Sequence, residues 1–446
     1  MATSVHVKQA LVITPSEPTP ARVLALSAID SQLFLRFTVE YLLVYRAWHG
    51  LDQAATTARL KSALAEALVP YYPFAGRIRP RPDAPGLEVL CRAQGAVFIE
   101  AFSDRYSSND LEKPPKTVAQ WRKLLSLHVA DVLRGSPPLV VQLTWLRDGA
   151  AAIAVGISHC ISDGIGSAEF LNYFAELASG KRVAGSRPKP VWERHLLNPP
   201  PPAGKKCVRV NPASHPEFNR VPDLCDFMNL VSTGLKPTSI TFDKMRLGEL
   251  KRLAQCTSQP GDESSSFYTS FEVLAAHVWR SWARALEFPP NQVLKLLFSI
   301  NVRNRVKPGL PEGYYGNAFV LGCAVTRARD LEEKGIGYGS GLVRMAKERV
   351  GKQYVREVSE LVSESMANPD SVGVLIVSQW SRLGMERVDF GMGKPEHVGS
   401  VCCDRYCLFL PASDNEDESR EGVKVMVAVP TFAVDSYQFL MRDSNL

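Results

Sequence analysis

Ala151-Ala152-Ile153-Ala154-Val155-Gly156-Ile157-Ser158-His159-Cys160-Ile161-Ser162-Asp163-Gly164 is the stretch on which the fold turns. The run from Ala151 to Ile157 is short, apolar and bounded, as a core strand is. Beyond Gly164, residues Ile165, Ala168, Leu171, Phe174, Ala175 and Ala178 recur at helical spacing and mark one buried face. His159 therefore stands where a buried strand gives way to a loop and then a helix, a place both packed and reachable by a substrate. A carboxylate follows four residues on, and Gly164 lets the chain turn. Taken alone, the same residues also read as a satisfied core histidine and a helix N-cap, because an aspartate oxygen accepts orphan backbone N–H bonds at that position. Cys160 is no better as a nucleophile. Its side chain alternates with that of His159 on an extended segment and so points into the core.

Outward from this stretch, 446 residues with 45% hydrophobic and 22% charged content are enough for two or three domains with substantial cores. The formal charge of +6 is mild and its basic residues are scattered, which suits small anionic molecules and argues against nucleic acid as a partner. No apolar run approaches the roughly 18–20 residues of a membrane span, and Met1 to Thr14 lacks the layout of a signal peptide. Nine cysteines, an odd number spread along the chain, point to reduced and mostly buried thiols in a cytoplasmic protein. Cys402, Cys403 and Cys407 fall on what reads as a strand, Val401–Leu410, with no second pair at zinc-site spacing, so no metal is expected. The final Ser444-Asn445-Leu446 loosely echoes a peroxisomal address but lacks its central basic residue.

A boundary lies over residues 181–223. Pro188, Pro190, the run Pro199 to Pro202, Pro212, Pro216 and Pro222 read as an extended, semi-rigid crossover. It separates an N-terminal domain, 1–180, from a C-terminal domain, 224–446. The first opens with a strand over Val5–Thr14. It continues with a helix carrying Leu60, Ala63, Leu64, Ala67 and Leu68, then a turn at Pro73 and Gly76. The second carries a helix with Phe271, Leu274, Ala275, Val278, Trp279 and Trp282 on one face, then a strand over Leu294–Ile300. A long helix is predicted over roughly 341–366, strands at 372–378, 401–410 and 423–429, and a solvated acidic loop over Ser413–Glu421. Both halves mix helices with strands. The fold class is α+β, with a cleft between two packed domains as the natural place for a small-molecule site.

Several motifs occur in one order along the chain. They are Leu26-Ser27-Ala28-Ile29-Asp30, Tyr71-Tyr72-Pro73-Phe74-Ala75-Gly76-Arg77, His159-x-x-x-Asp163-Gly164, Asn301-x-Arg303-x-Arg305, Gly313-Tyr314-Tyr315-Gly316-Asn317 and Asp389-Phe390-Gly391-Met392-Gly393. The set resembles the plant BAHD acyl-CoA-dependent acyltransferases, alcohol acyltransferase-like members in particular, whose marks are His-x-x-x-Asp-Gly and Asp-Phe-Gly-Trp-Gly. That resemblance implies two chloramphenicol-acetyltransferase-like domains joined by a long crossover, with a channel between them, in a monomer. It implies acyl-CoA as co-substrate with no tightly bound cofactor, and a small alcohol or amine as acceptor. His159 takes the place of the catalytic base, and Asp163 points away to pair with Arg303 as structural support. Ser378-Gln379-Trp380 matches a segment near the reacting carbonyl, with Ser378 and Trp380 as candidate donors to it. Asp389, Gly391 and Gly393 belong to the second motif, which supports the fold. One departure is Met392, where the family has tryptophan; methionine is an adaptable apolar filler.

The implied chemistry is self-consistent. A base with an intrinsic pKa of about 6.5 suits proton removal near neutrality. The tetrahedral oxyanion needs preorganised donors, and a thiol of pKa about 8.5 leaves without much acid assistance. The expected product is an ester of a largely apolar alcohol. Three alternatives remain beside it: an amide-forming N-acyltransferase, a non-catalytic relative that assists lipid elongation as a binding partner, and a condensation domain. The last normally carries a second histidine where Ser158 stands.

Overall fold

The strand Ala151–Ser158 is buried along its whole length because it pairs on both sides, with Leu139–Trp145 and with Thr38–Tyr45, both antiparallel. A strand flanked twice and covered on both faces has no solvent side, hence its unbroken apolar sequence. The computed structural model describes residues 4–48, 50–129, 131–181, 188–198, 214–232, 234–256, 267–404, 406–412 and 422–443. The run Pro199–Pro202, Pro212, Cys207, the acidic segment Ser413–Glu421 and the terminal Ser444-Asn445-Leu446 lie outside them.

Two six-stranded sheets organise the described residues. The first runs His6–Ile13, Ala96–Phe102, Leu139–Trp145, Ala151–Ser158, Thr38–Tyr45 and His397–Ser400. The second runs Phe319–Arg327, Val293–Asn301, Val374–Gln379, Cys407–Ala412, Gly422–Pro430 and Leu235–Asp243. A small third sheet joins Arg22–Ala25, Leu87–Cys91 and Arg77–Pro80. The helix after the key strand, Gly164–Ser179, starts on Asp163, whose side chain accepts from the Gly166 N–H, and stops at Gly180 in the left-handed region. It packs its apolar face against the helix Gln53–Ala67. The helix Ser270–Ala285 packs against Gly335–Arg349, Lys244–Cys256 and Val434–Arg442 to form the second core. Its start is a capping box between Thr269 and Glu272.

Two expectations are corrected. The helix predicted over 341–366 is two helices, Gly335–Arg349 and Lys352–Ser365. Gly351 separates them, and Arg305 donates to the carbonyls of Lys347 and Val350, both at 2.8 Å, satisfying the end of the first. Apolar spacing continues across the break, so periodicity does not reveal it. The strand predicted over 401–410 is strand only from Cys407 onward, and a separate strand precedes the predicted range. His397–Ser400 belongs to the first sheet, pairing with Thr38–Tyr45, and Cys407–Ala412 to the second. The chain thus changes sheets between Ser400 and Cys407. Residues Trp380, Met385, Val388, Phe390, Met392 and Val398 join the core of the first sheet although they follow most of the second in sequence. Among the described residues, no helix is long and apolar enough to cross a membrane, and the described cysteines are free thiols.

Candidate active site

His159 is held by its backbone before its ring does anything. Its N–H donates to the carbonyl of Phe37 at 2.9 Å, extending the pairing of the strand it terminates. The ring lies between Phe37 and Phe319, with centroids 5.3 and 5.7 Å away. It faces a cavity of about 850 Å3 lined from both halves, by Tyr41 and Ile165 from the first and by Phe319, Ser378 and Trp380 from the second. Burial pushes the imidazole below its usual 6.5, outweighing hydrogen bonding and the charges of Asp163 and Asp30. The ring is therefore neutral at neutral pH.

Which nitrogen carries the proton follows from Asn317. Its Nδ2 donates to Asp30 Oδ1 at 2.8 Å and to the carbonyl of His159 at 2.7 Å, two acceptors that only an NH2 group satisfies. Its Oδ1 must then be the atom 3.1 Å from His159 Nδ1, and it accepts that proton. The tautomer is fixed with Nδ1 protonated and the lone pair on Nε2. Asn317 is itself anchored. Asp30 Oδ1 also takes the Asn317 backbone N–H at 2.9 Å and pairs with Arg194 at 2.9 Å, and Oδ2 takes the N–H and hydroxyl of Ser27. Arg194 in turn donates to the carbonyl of Ile161 at 2.8 Å, on the His159 loop. Arg194 and Asp30 are 1% and 0% exposed, so this is a fully buried pair. Gly316 leaves room for it: a Cβ there would stand 2.6 Å from Arg194 Nη1.

Asp163 is engaged through both of its oxygens. It accepts from Arg303 at 2.8 and 3.1 Å in a two-pronged pair, from Gly166 N–H at 2.9 Å and from Ala318 N–H at 3.1 Å. Burial opposes its charge, but Arg303 and the two N–H groups overcome that and hold its carboxyl below the usual range. The same partnership raises Arg303. One carboxylate thus caps a helix of the first half and grips a loop of the second. We expect Asp163→Asn and Arg303→Ala each to lower stability, with a coupling of about 1–3 kcal/mol in a double-mutant cycle read by denaturant unfolding. Additive losses would mean that the two side chains are energetically independent.

Trp380 packs at a tilt on Tyr41, ring centroids 4.8 Å apart, and its Nε1–H donates to Ser378 Oγ at 3.1 Å. The indole N–H is thereby used, which leaves the Ser378 hydroxyl hydrogen as the donor available to the cavity. Cys160 is buried, donates to the Leu35 carbonyl at 3.3 Å and is pushed up to about 12 by burial, so it is no nucleophile.

The second motif lies apart from the imidazole. Asp389 Oδ1 accepts from the N–H groups of Gly391 and Gly393, both at 2.8 Å, and Oδ2 pairs with Lys181 at 2.7 Å. Both glycines have φ near +84°, a conformation that other residues adopt only with strain. Phe390 packs against Phe174 at 4.9 Å, and Met392 is buried in the same core. Met392→Trp enlarges a filled site, so a loss of about 1–3 kcal/mol is expected in thermal or denaturant unfolding, with acyl-CoA affinity unchanged. Equal stability with tighter CoA binding would move this loop into the donor site.

Among the residues singled out from sequence, His159, Ser378 and Trp380 share the cavity, Asp163 and Arg303 join beside it, and Asp389, Gly391 and Gly393 form a separate turn. Asn317, Asp30 and Arg194 were not expected as site residues. Asn317 and Asp30 sit at the ends of two quoted motifs as polar residues beside apolar neighbours; Arg194, in the crossover, carries no such signal.

Similar known proteins cover nearly the whole chain. The sequence profile of the Transferase family matches residues 3–441. The chain is 30% identical over 444 residues to an omega-hydroxypalmitate O-feruloyl transferase of Arabidopsis thaliana, covering 97% of this chain and 92% of that protein. It is 32% identical to a (Z)-3-hexen-1-ol acetyltransferase of the same plant, covering 97% and 93%. Among solved structures, vinorine synthase superimposes with a TM-score of 0.73 at 21% identity, over 97% of this chain and 96% of that one.

Proposed function

This chain belongs to the Transferase family, the BAHD acyl-CoA-dependent acyltransferases, and from that premise we infer that His159 is the base of an O-acyl transfer. The enzyme moves an acyl group from an acyl-CoA thioester to the hydroxyl of a small, largely apolar acceptor. The observation that carries the role of His159 is its tautomer: Asn317 occupies Nδ1, so Nε2 is free to take a proton.

The acceptor O–H gives its proton to Nε2 while its oxygen attacks the thioester carbonyl. The oxyanion that forms is met by the Ser378 hydroxyl, itself oriented by Trp380. Collapse breaks the C–S bond, and the departing thiolate recovers the proton from the imidazolium, whose lowered pKa favours giving it up. Asp163 and Arg303 act only on the position of the loop. The apolar cavity wall supports an alcohol that brings little polar surface of its own, and free, mostly buried cysteines support a reducing compartment such as the cytoplasm.

Purified protein incubated with acyl-CoA donors and a panel of alcohols should release CoA thiol and ester in equal amounts. Hydrolysis without ester, or no release with any pair, would remove this reading. A depressed His159 pKa also fixes the pH profile. The base is lost only when the imidazole protonates, so kcat/KM should fall with decreasing pH and reach half its plateau at a pH below 6.5. A rate already halved above pH 6.5 would point to another base.

A further inference from the structure

The second sheet has a notch. Val374–Gln379 and Gly422–Pro430 both flank Cys407–Ala412, but that middle strand is too short to fill the space between them. Its pairing to the first begins at Val377↔Cys407, so Val374, Leu375 and Ile376 have no partner on that side among the described residues. Its pairing to the other ends at Leu408↔Met426, so Val427 to Pro430 pair only outward, with Leu235–Thr238. Two strand edges therefore face one another across the width of a missing strand, about 10 Å from backbone to backbone. The notch is roughly three residues, about 10 Å, deep.

The reaction cavity enters this notch. Ile376, Ser378 and Ala428 line it on the face turned to His159, whereas Leu375, Cys407 and Val427 line it from the opposite face of the sheet. It ends beyond the sheet against Trp282 of the helix Ser270–Ala285 and against Phe227 and Met228. Among the described residues no charged side chain borders the passage between Ile376 and Trp282; Asp370, at its edge, is engaged by Lys295. A passage one strand wide, apolar on both sides and open at the catalytic histidine admits an unbranched chain and excludes a fused ring system.

We propose that this passage through the second sheet is a subsite for a linear alkyl chain of one of the two substrates. The proposal rests on the acyl-transfer reading for its substrate, though not for its geometry. Both the acyl group and the alcohol meet at His159, so the chain could enter from either, and the two sources are separable by experiment.

Two series test it in the wild-type enzyme and in Ala428→Leu, which adds bulk at the mouth of the notch. One varies acyl-CoA from two to sixteen carbons against a short alcohol; the other varies 1-alkanols over the same range against acetyl-CoA. In one series, wild-type kcat/KM should climb with chain length and then level off as the passage fills. Ala428→Leu should lose at least tenfold for long chains there, with short-chain turnover kept within threefold. The arm that responds names the source. Binding of dodecanoyl-CoA and of 1-dodecanol to His159→Ala, followed by calorimetry, separates the subsite from the chemistry. Each methylene placed in the passage should raise affinity by up to about fourfold, and Ala428→Leu in that background should abolish the gain. Chain-length dependence unaltered by Ala428→Leu in both turnover and binding would overturn the proposal even in an active enzyme. Absent turnover with intact chain-length-dependent binding would instead overturn the acyl-transfer reading alone. Should Ala428→Leu fail to fold, Met228→Ala opens the far end and should lengthen the optimum; an unchanged optimum also counts against it.

Discussion

His159→Ala folds as the wild type does and loses ester formation by about 10²- to 10⁴-fold, the usual worth of a positioned base. The alanine keeps the backbone N–H that donates to Phe37 and leaves the carbonyl that Asn317 reads, so the loop stays in place. What disappears is the nitrogen on the cavity side. Steady-state kinetics beside a thermal melt tests this directly. Near-wild-type turnover in a well-folded His159→Ala protein would make the cavity a binding site and the chain a scaffold. Asn317→Ala supplies the companion measurement. Without the acceptor at Nδ1 the two tautomers become comparable, so kcat should fall severalfold while KM moves little, and the melting temperature should drop because Asp30 and the His159 carbonyl each lose a buried donor. Asn317 is thus a positioning residue, and a rise in KM alone would argue against that role.

Asp30→Asn should be the most destabilising single change at the site. The aspartate is ion-paired with Arg194 and accepts from both donors of Asn317 and from Ser27. An amide in its place removes the charge and turns one oxygen into a donor that faces donors. Arg194 is then a cation stranded in a fully buried site, a loss of about 3–5 kcal/mol. Denaturant unfolding reads that loss, and activity should fall with it because Asn317 loses its anchor. Arg194→Met in the Asp30→Asn background should recover part of the stability, since the stranded charge is gone. A double variant less stable than Asp30→Asn alone would show that the guanidinium serves the fold by its shape and not as a counter-ion.

Much of this was legible in the sequence, for identifiable reasons. The catalytic loop was visible because a doubly flanked strand must be apolar throughout and an amphipathic helix must repeat near 3.6 residues, so the polar residues between them stood out. Asp163 and Arg303 emerged from motif order, and the structure brings them to 2.8 Å across 140 positions of sequence. The orienting partner of His159 was not legible. Asn317, Asp30 and Arg194 come from three distant segments, and a network closed only by folding has no local spacing to betray it. The break at Gly351 and the passage of the chain from one sheet to the other at Ser400 were missed for a related reason. Hydrophobic pattern reports that a segment is buried, not which neighbour buries it.

The strand His397–Ser400 bears on how the molecule comes to exist. It is hydrogen-bonded to Thr38–Tyr45 in the order His397↔Val44 to Ser400↔Tyr41, more than 350 positions away. During synthesis at about 5–20 residues per second, Thr38–Tyr45 leaves the ribosome many seconds before its partner. For that interval an apolar edge of the first sheet has unpaired N–H and C=O groups, a template for adding strands from other chains. The closing of so long a loop is also slow compared with local pairing. A nascent chain halted near residue 380 should therefore aggregate or recruit chaperones, and one released with Gly422–Pro430 and Val434–Arg442 in place should become protease-resistant in both halves together. The last quarter of the chain finishes a sheet begun by the first tenth, so neither half has a life of its own.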